Sequence, residues 1–267
     1  MAKYSKGQKS LANLKKQRAK YPAIVDKLLE KSDIILEILD ARFIDDTRNI
    51  EIEEEIKKLG KKIIYVFNKA DLKDKIEYGE LLPSIAVSCK SRRGIGKLRD
   101  LIKIEAKKIK KPERVAVGVI GYPNVGKSSL INLLIGKASA GVGSDAGFTK
   151  SMQKLKLTSE IVLLDTPGVI PKSEYSSSDP NAFAKHVKVG GRSHSQIKEP
   201  GLIVDKLMKD LPNVFEKHYK IKSDGDSEIL IEELGKQKGF IKKGGVVDED
   251  KTARLILKDW QTGKIKI

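Results

Sequence analysis

The stretch VAVGVIGYPNVGKSSLINLLI, residues 115–135, decides the fold. Its opening residues are apolar or glycine, which predicts a buried strand over Val115–Ile120. Gly121–Ser128 then matches G-x4-G-K-[ST], a pattern in which glycines let backbone N–H groups close around phosphate oxygens and the lysine neutralises the outer phosphates. Lys127–Ile135 predicts a helix whose positive N-terminal end points at the same anion. Because strand, loop and helix follow in this order, a phosphate loop is favoured over an ordinary glycine-rich turn.

The tetrapeptide Asp165-Thr-Pro-Gly168 follows another predicted strand, Ile161–Leu164. A carboxylate at Asp165 can hold a water bound to Mg²⁺, and the N–H of Gly168 can reach a terminal phosphate. The hydroxyl of Ser128 is a further expected Mg²⁺ ligand. Alone, the tetrapeptide is a plausible turn; after a phosphate loop, it indicates a segment that senses the terminal phosphate of a nucleotide.

The segment Asn68-Lys-Ala-Asp71 addresses which base is bound. The Asp71 carboxylate can accept hydrogen bonds from N1–H and the 2-amino group of guanine, whereas adenine offers neither donor. Asn68 can tether the loop, and the stem of Lys69 can cover the ring. Ser88-Cys-Lys90 can offer backbone N–H groups to the guanine oxygen. Together these segments predict a guanine site.

Positive charge is the most unusual feature of the composition, with a formal net charge of +17 over 267 residues. Residues 1–20 hold seven basic and no acidic side chains, and residues 90–111 hold ten basic and two acidic ones. Clustered positive charge is typical of proteins that bind polyanions, because each neutralised phosphate releases counterions. The alternative is a set of solvated lysine-rich helices, or the Lys/Glu enrichment of a thermophile. Aromatic residues are only 5% of the chain, which leaves little material for stacking single-stranded bases.

Several classes of protein are excluded by composition. No apolar run approaches the roughly 18 residues of a membrane span, so no membrane partner is expected. The first twenty residues are basic without an apolar segment, which disfavours a secretory signal. The single cysteine, Cys89, excludes an internal disulfide framework, and we expect a reducing, cytoplasmic location and no disulfide-linked partner. A structural zinc site is not expected.

Strands that alternate with helices predict a mostly parallel sheet with helices on both faces, and each motif falls just after a strand, where such sheets bind ligands. We expect a basic N-terminal arm at 1–22, a nucleotide-binding domain at 23–175 and a small helical domain at 176–267. The predicted strands are Ile34–Leu39, Lys62–Phe67, Ile85–Val87, Val115–Ile120, Gln153–Leu157 and Ile161–Leu164. The predicted helices of the first domain are Ile50–Leu59, Ile95–Ile109 and Lys127–Ile135.

These motifs resemble those of the phosphate-loop GTPases, but the base-recognition motifs precede the phosphate loop instead of following it. Such an order is a circular permutation of one sheet, joined here by Lys107–Arg114. The chain therefore resembles the circularly permuted GTPases of ribosome assembly, the YlqF/YawG family. Besides motif order, the resemblance rests on Asp40-Ala-Arg42, Asn124, Gly147-Phe-Thr149, Lys238–Gly245 and Ala253–Trp260.

The resemblance implies an α/β fold, a circularly permuted P-loop GTPase sheet followed by a small α-helical C-terminal domain. It implies GTP hydrolysis to GDP coupled to maturation of a ribosomal subunit, with the large subunit favoured and rRNA as the contact. It also implies Mg²⁺ as cofactor, held by Ser128, Asp165 and the switch threonine Thr149. The expected GTP-binding residues are Asn68, Lys69, Ala70, Asp71, Ser88, Cys89, Lys90, Asn124, Val125, Gly126, Lys127, Ser128, Ser129, Thr149, Asp165 and Gly168.

Two departures from the pattern of these GTPases bear on catalysis. Val169 stands where many GTPases place a glutamine that orients the attacking water, and no histidine precedes His186, whereas bacterial relatives carry one near their N-terminus. Slow intrinsic hydrolysis is therefore expected, with ribosome, rRNA or K⁺ needed for the full rate. By similarity Asn124 is a candidate K⁺ ligand, its alternative being a turn residue that bonds its own backbone. The expected catalytic set is Lys127, Thr149, Gly168 and Asn124.

Alternatives remain open at this point. The chain could be an RNA-binding assembly scaffold with a structural nucleotide site, or a GTPase that acts on tRNA. For Asp40-Ala-Arg42, a structural role at the end of the sheet is favoured over contact with a partner. His186, His194 and His218 are expected at the surface. Trp260 is expected in the core.

Overall fold

Six strands form one sheet in the part of the chain that the computed structural model describes, namely residues 23–136, 153–166, 168, 185–190, 195 and 197–267. The strands are β1 Ile34–Asp40, β2 Lys62–Asn68, β3 Ser84–Ala86, β4 Val115–Gly121, β5 Gln153–Lys156 and β6 Ile161–Asp165. Their order across the sheet is β3-β2-β1-β4-β6-β5. All neighbours are parallel except β5, which runs antiparallel to β6.

The central position of β1 confirms the permuted sheet. β1 pairs with β2 on one side and with β4 on the other, so that Ile34 lies opposite both Lys62 and Val117. β2 leads into the loop of Asn68-Lys-Ala-Asp71, which we name the base loop, and β4 leads into the phosphate loop. Only β1 lies between these two strands. Both strands are parallel to β1, and their carboxyl ends meet at the same edge of the sheet.

The three helices predicted for the first domain begin and end within two residues of their predicted bounds. The helices are α1 Ile44–Thr47, α2 Ile50–Lys58, α3 Ile95–Lys107, α4 Lys127–Ile135, α5 Pro200–Asp210, α6 Val214–Tyr219, α7 Ser227–Lys238 and α8 Glu249–Gln261, with a 3₁₀ turn at Ala70–Leu72 and a further helical segment at 23–31. Side-chain caps fix several starts: Asn49 accepts from the N–H of Ile52 at 3.2 Å, and Asp226 and Asp248 cap α7 and α8 in the same way. None of the described helices is long and apolar enough to cross a lipid bilayer.

Two apolar cores lie on the two faces of the sheet, because alternate residues of a strand point to opposite sides. Ile34, Leu36 and Ile38 of β1 belong to the first core, together with residues of α3, α4 and the C-terminal helices. Ile35 and Leu39 belong to the second core, which the 23–31 helix and α2 cover. Helices on both faces are therefore confirmed.

The C-terminal helices share the first core with the sheet. Helix α8 packs against α5 and α7, and the fully buried Trp260 lies with its ring centroid 5.7 Å from Phe43 and 5.5 Å from Phe215. The expected core position of Trp260 is confirmed. The start expected for the helical domain, at Ser176, lies outside the described residues.

Candidate functional site

Glycine is required at both ends of the phosphate loop because atoms of strand β1 and of Asn68 leave no room for a Cβ. Gly121 has φ +149°, and a Cβ there would lie 2.4 Å from the carbonyl oxygen of Ile38. Gly126 has φ +99°, and its Cβ would lie 2.3 Å from Nδ2 of Asn68. Gly126 also precedes α4, whose first N–H groups have no intrahelical acceptor and so remain available to an anion.

Lys127 and Asp165 bring two buried charges to the loop. The ammonium of Lys127 donates to the carbonyl oxygens of Gly121 and Tyr122, both at 2.9 Å, and burial lowers its pKa to about 8. Asp165 ends β6, and burial raises its pKa to about 6 although Lys127 acts in the opposite direction. Neither carboxylate oxygen of Asp165 has a hydrogen-bond partner among the described residues.

An unpartnered buried carboxylate beside a phosphate loop fits a hard divalent cation, which takes oxygen ligands and keeps part of its water shell. Ser128, half-buried in the first turn of α4, is the described residue that would share the ion with Asp165. Thr149, the remaining expected ligand, lies outside the described residues. The donor set around the phosphate loop therefore fits Mg²⁺.

Asn68 joins the base loop to the phosphate loop. Its Nδ2 donates to the carbonyl oxygen of Val125 at 2.7 Å, and its Oδ1 accepts from the N–H of Cys89 at 3.2 Å. One amide side chain, 2% exposed, thus connects three loops that are far apart in the sequence. The tethering role predicted for Asn68 is supported by these two bonds.

Asp71 is held by the loop that follows β3. The hydroxyl of Ser88 donates to Oδ1 of Asp71 at 2.6 Å and accepts from the N–H of Ser91 at 3.1 Å. The N–H of Ala70 donates to the carbonyl of Val87 at 3.1 Å. These bonds orient the Asp71 carboxylate, which is half-buried at the edge of the site.

The cation of Lys69 is bound to a buried acid rather than free in solvent. Lys69 has φ +61°, and its Nζ lies 2.8 Å from Oδ2 of Asp40. Arg42 pairs with the same carboxylate, with Nη2 at 2.8 Å and Nε at 3.0 Å. Burial alone would raise the pKa of Asp40, but Lys69 and Arg42 outweigh it and hold that pKa well below its usual range. This ion pair supports the structural interpretation of Asp40-Ala-Arg42 and adds a connection to the base loop.

The phosphate loop also contacts the segment 185–190. Nδ2 of Asn124, a residue with φ +61°, donates to the carbonyl oxygen of Gly190 at 2.6 Å. The hydroxyl of Tyr122 lies 2.5 Å from Nδ1 of His186. His186 is only 7% exposed, so its expected surface position is wrong: the ring is buried against the phosphate loop. His218 is exposed as expected, and His194 lies outside the described residues.

A cavity of about 230 Å³ collects many of the expected residues at the carboxyl edge of the sheet. Gly168 lies beside the phosphate loop, since a Cβ on it would be 2.9 Å from Cα of Pro123. Burial raises the pKa of Cys89 to about 11, which keeps the thiol at the cavity neutral. The expected residues that line the cavity are Asn68, Lys69, Asp71, Cys89, Lys90, Asn124, Gly126 and Ser129.

Four residues that the sequence did not predict line the same cavity, namely Leu72, Gln261, Thr262 and Gly263. The available signal was Gly263 after an amphipathic helix, which predicts a helix end but not what that end contacts. Tyr122 and His186 were missed for the same reason. Each lies next to its partner only after the chain has folded.

Comparison with known proteins agrees with this geometry. A family model described as "50S ribosome-binding GTPase" matches residues 116–221. YlqF from T. maritima in its GNP-bound form superposes with a TM-score of 0.62 at 23% identity, covering 92% of this chain and 94% of that one. Its GDP-bound form gives 0.60 at 24% identity, covering 90% and 94%. These likenesses establish the fold.

Two relatives found by sequence have a higher identity to this chain than the YlqF structures. An uncharacterised GTP-binding protein of Methanocaldococcus jannaschii is 39% identical over 249 residues, which are 91% of this chain and 65% of the relative. Nucleolar GTP-binding protein 2 of Saccharomyces cerevisiae is 34% identical over 250 residues, covering 90% of this chain and 51% of the relative. The chain thus spans between half and two thirds of the length of these relatives. The permuted sheet and these matches show that the chain has the fold of YlqF and is similar in sequence, over nine tenths of its length, to GTP-binding proteins of an archaeon and of the yeast nucleolus.

Proposed function

We propose that the protein binds GTP, hydrolyses it to GDP and phosphate, and acts as a nucleotide switch in ribosome assembly, with the large subunit favoured. The observation that carries this proposal is the 2.7 Å bond from Asn68 to the carbonyl of Val125. That bond ties the loop of Asp71 to the loop of Lys127, so base recognition and phosphate binding belong to one site.

Each part of the nucleotide has a proposed partner. Asp71 accepts from the guanine N1–H and 2-amino groups, while backbone N–H groups of 88–90 face the guanine oxygen. The phosphate loop and Lys127 bind the phosphates. Ser128, Thr149 and Asp165 hold Mg²⁺, which when bound neutralises negative charge on the phosphates. Gly168, beside the phosphate loop, donates to the terminal phosphate.

Intrinsic hydrolysis is proposed to be slow because Val169 offers no group to orient water. Asn124 of the phosphate loop is proposed to contribute instead, with its side-chain oxygen as a candidate ligand for K⁺. A monovalent cation there would supply the positive charge that other GTPases obtain from an arginine. We therefore propose that K⁺, the ribosome or rRNA raises the rate.

Contact with rRNA is supported by the exposed cations around α3. Lys103 and Lys108 are neutralised by Asp100 and Glu105 on the same helix, at 3.3 and 2.7 Å. Five others are exposed and form no ion pair within the described ranges: Arg92, Arg93, Lys97, Lys107 and Lys110. An exposed, uncompensated basic face fits the phosphate backbone of RNA. The proposed place of action is the cytoplasm.

The test is co-sedimentation with each purified ribosomal subunit, in GDP and in a non-hydrolysable GTP analogue, at low and high salt. We expect binding to one subunit, stronger with the analogue and steeply weakened by salt. The variant Lys97→Glu/Lys107→Glu should lose binding. The variant Lys217→Glu/Lys220→Glu makes the same charge change at exposed residues of α6 and its C-terminal cap, and it should retain binding. Equal loss in both variants would contradict a specific role for the α3 face.

The same preparations separate the alternatives. GTP turnover that rises on adding a subunit supports the switch, while GTP binding without turnover under any condition supports the assembly scaffold. Turnover stimulated by tRNA but not by subunits would instead support a tRNA-related GTPase.

A further inference from the structure

The end of α8 lies at the nucleotide cavity. Besides residues of the base loop, the phosphate loop and the loop after β3, the cavity of about 230 Å³ is lined by Gln261, Thr262 and Gly263. We name these three residues the C-terminal turn. They come from a helix more than 130 residues beyond the phosphate loop, yet they border the same space as Asp71 and Lys69.

A defined helix end holds the C-terminal turn in place. Gly263 takes φ +71° just after the cap residue Thr262, and its N–H donates to the carbonyl of Trp260 at 3.2 Å. The N–H of Lys264 reaches back to the carbonyl of Asp259 at 2.9 Å. This pair of bonds around a left-handed glycine is a Schellman-type end, which directs the chain sharply away from the helix axis.

Beyond this bend the chain packs on the base loop. A Cβ on Gly263 would lie 2.8 Å from Cδ1 of Leu72, the residue directly after Asp71. The N–H of Ile267 donates to the carbonyl oxygen of Leu72 at 3.0 Å. Leu72 is 3% exposed, so the base loop is held from behind by the last residues of the chain.

A second connection joins α8 to the other side of the base loop. The guanidinium of Arg42 lies 4.9 Å from the ring centroid of Trp260, and its Nη1 donates to the carbonyl of Trp260 at 3.4 Å. Arg42 shares the carboxylate of Asp40 with Lys69. Lys69 and Leu72, which lie on either side of Asp71 in the sequence, are thus both linked to the end of the same helix.

We propose that the C-terminal turn is a wall of the guanine pocket, and that Gln261 and Thr262 contribute to guanine-nucleotide affinity by contact with the base or its ribose. The proposal rests on the nucleotide site of the proposed function and extends it to a segment with no nucleotide motif. The C-terminal helices then form part of the nucleotide site.

The test is the Kd for GDP, by titration calorimetry with Mg²⁺, of Gln261→Ala/Thr262→Ala in the full chain. We expect Kd to rise about fivefold, the effect of losing one or two polar contacts. The control is Lys266→Ala, an exposed residue of the same C-terminal segment that does not line the cavity, and its Kd should match that of the parent. Urea unfolding without nucleotide checks that the double variant remains as stable as the control.

Each outcome decides between possibilities. An unchanged Kd for GDP in Gln261→Ala/Thr262→Ala contradicts the proposal that the C-terminal turn is a wall of the guanine pocket. A loss of affinity that is matched by an equal loss of stability without nucleotide contradicts it as well. Asp71→Asn, measured in parallel, tests the site itself. If it abolishes guanine preference while the double variant has no effect, the proposed function stands and only this inference fails. If it leaves guanine preference intact, the guanine site assigned to Asp71 fails as well.

Discussion

Asn68 attaches the base loop to its neighbours, whereas Asp71 is the residue proposed to recognise guanine. Asn68 uses both atoms of its amide to hold Val125 and Cys89, so its side chain is committed to the protein. Asp71 is oriented by a single hydroxyl, that of Ser88, at 2.6 Å. A carboxylate has further lone pairs beyond the one that Ser88 occupies, which suits it to accept from a base.

Asp71→Asn should move preference from GTP to xanthosine triphosphate, by roughly two orders of magnitude or more. Xanthine has an oxygen where guanine has its 2-amino group, and the asparagine amide can donate to it. Ser88 can still donate to the asparagine oxygen, so the loop should keep its shape. Competition binding with both nucleotides measures the change, and Asp74→Asn, an exposed neighbour with the same charge change, should keep the preference of the parent. Retained preference for GTP in Asp71→Asn would contradict the assigned role.

Glu37 is a second residue whose behaviour depends on burial. Its Oε1 accepts from the N–H of Asn49 at 3.0 Å, while Oε2 has no partner within the described residues. Burial and the neighbouring Glu53 raise the pKa of Glu37 to about 8 from 4.5. The folded protein therefore keeps a proton that the unfolded chain releases above pH 4.5. Its contribution to stability falls as pH rises from about 4.5 to about 8.

Glu37→Gln should stabilise the protein at pH 8, by on the order of 2 kcal/mol, because glutamine has the same shape without the buried ionisation. The gain should shrink towards pH 5, where the carboxyl group is protonated in the folded parent. Urea unfolding at the two pH values measures it. Glu54→Gln, an exposed change on α2, is the control and should show little gain. A gain for Glu37→Gln of equal size at both pH values would refute the titration argument.

Helices α3 and α7 each contain a glycine, in opposite surroundings. A Cβ on Gly235 of α7 would lie 2.2 Å from Cγ1 of the buried Val247 and 2.9 Å from Oγ1 of Thr252. A Cβ on Gly96 of α3 would meet no atom within 4 Å. Helix propensity alone favours alanine at both positions, so packing decides the difference.

Gly96→Ala should stabilise the protein by about 0.5–1 kcal/mol through helix propensity. Gly235→Ala should destabilise it by about 1–3 kcal/mol, because Val247 and Thr252 must move to admit the methyl group. Thermal or urea unfolding of the pair provides an internally matched comparison. Equal stabilisation by both substitutions would show that α7 packs less closely against Val247 and Thr252 than these distances indicate.

At the scale of the whole molecule, the C-terminal helices and the sheet share one apolar core. Trp260 is the only tryptophan of the chain, and its ring contacts Phe43 beside the sheet and Phe215 of α6. Its indole N–H also donates to the carbonyl oxygen of Lys188 at 2.9 Å. Because linkage is reciprocal, a partner that displaces α8 should change nucleotide affinity by the same factor by which nucleotide changes affinity for that partner.

Urea unfolding followed by Trp260 fluorescence should coincide with unfolding followed by far-UV circular dichroism. GDP with Mg²⁺ at 100 times its Kd should stabilise both transitions by about 2.7 kcal/mol. Helices that formed an independent unit would instead give an earlier fluorescence transition that does not move with GDP. That result would also contradict a contribution of the C-terminal turn to nucleotide binding.

Much of the fold follows from local pattern. The strands were predicted within one or two residues, because a run such as Ile34–Leu39 between polar residues has few alternatives to a buried strand. The antiparallel direction of β5 was not predicted, since alternating side chains do not encode strand direction. His186 was predicted at the surface but is buried. Nothing in the neighbouring sequence indicates that its ring will contact Tyr122.

The sequence by itself determined the motifs, their permuted order and the sheet that brings them together, because each motif is a short stretch whose chemistry depends on its own residues. Only the tertiary structure decided that Lys69 pairs with Asp40, that His186 packs on Tyr122 and that the C-terminal turn borders the cavity beside Asp71. These contacts join residues far apart in the chain, and they depend on how helices settle on a shared core. Packing of that kind depends on the shapes of many side chains together, so it cannot be predicted from any single segment of the chain.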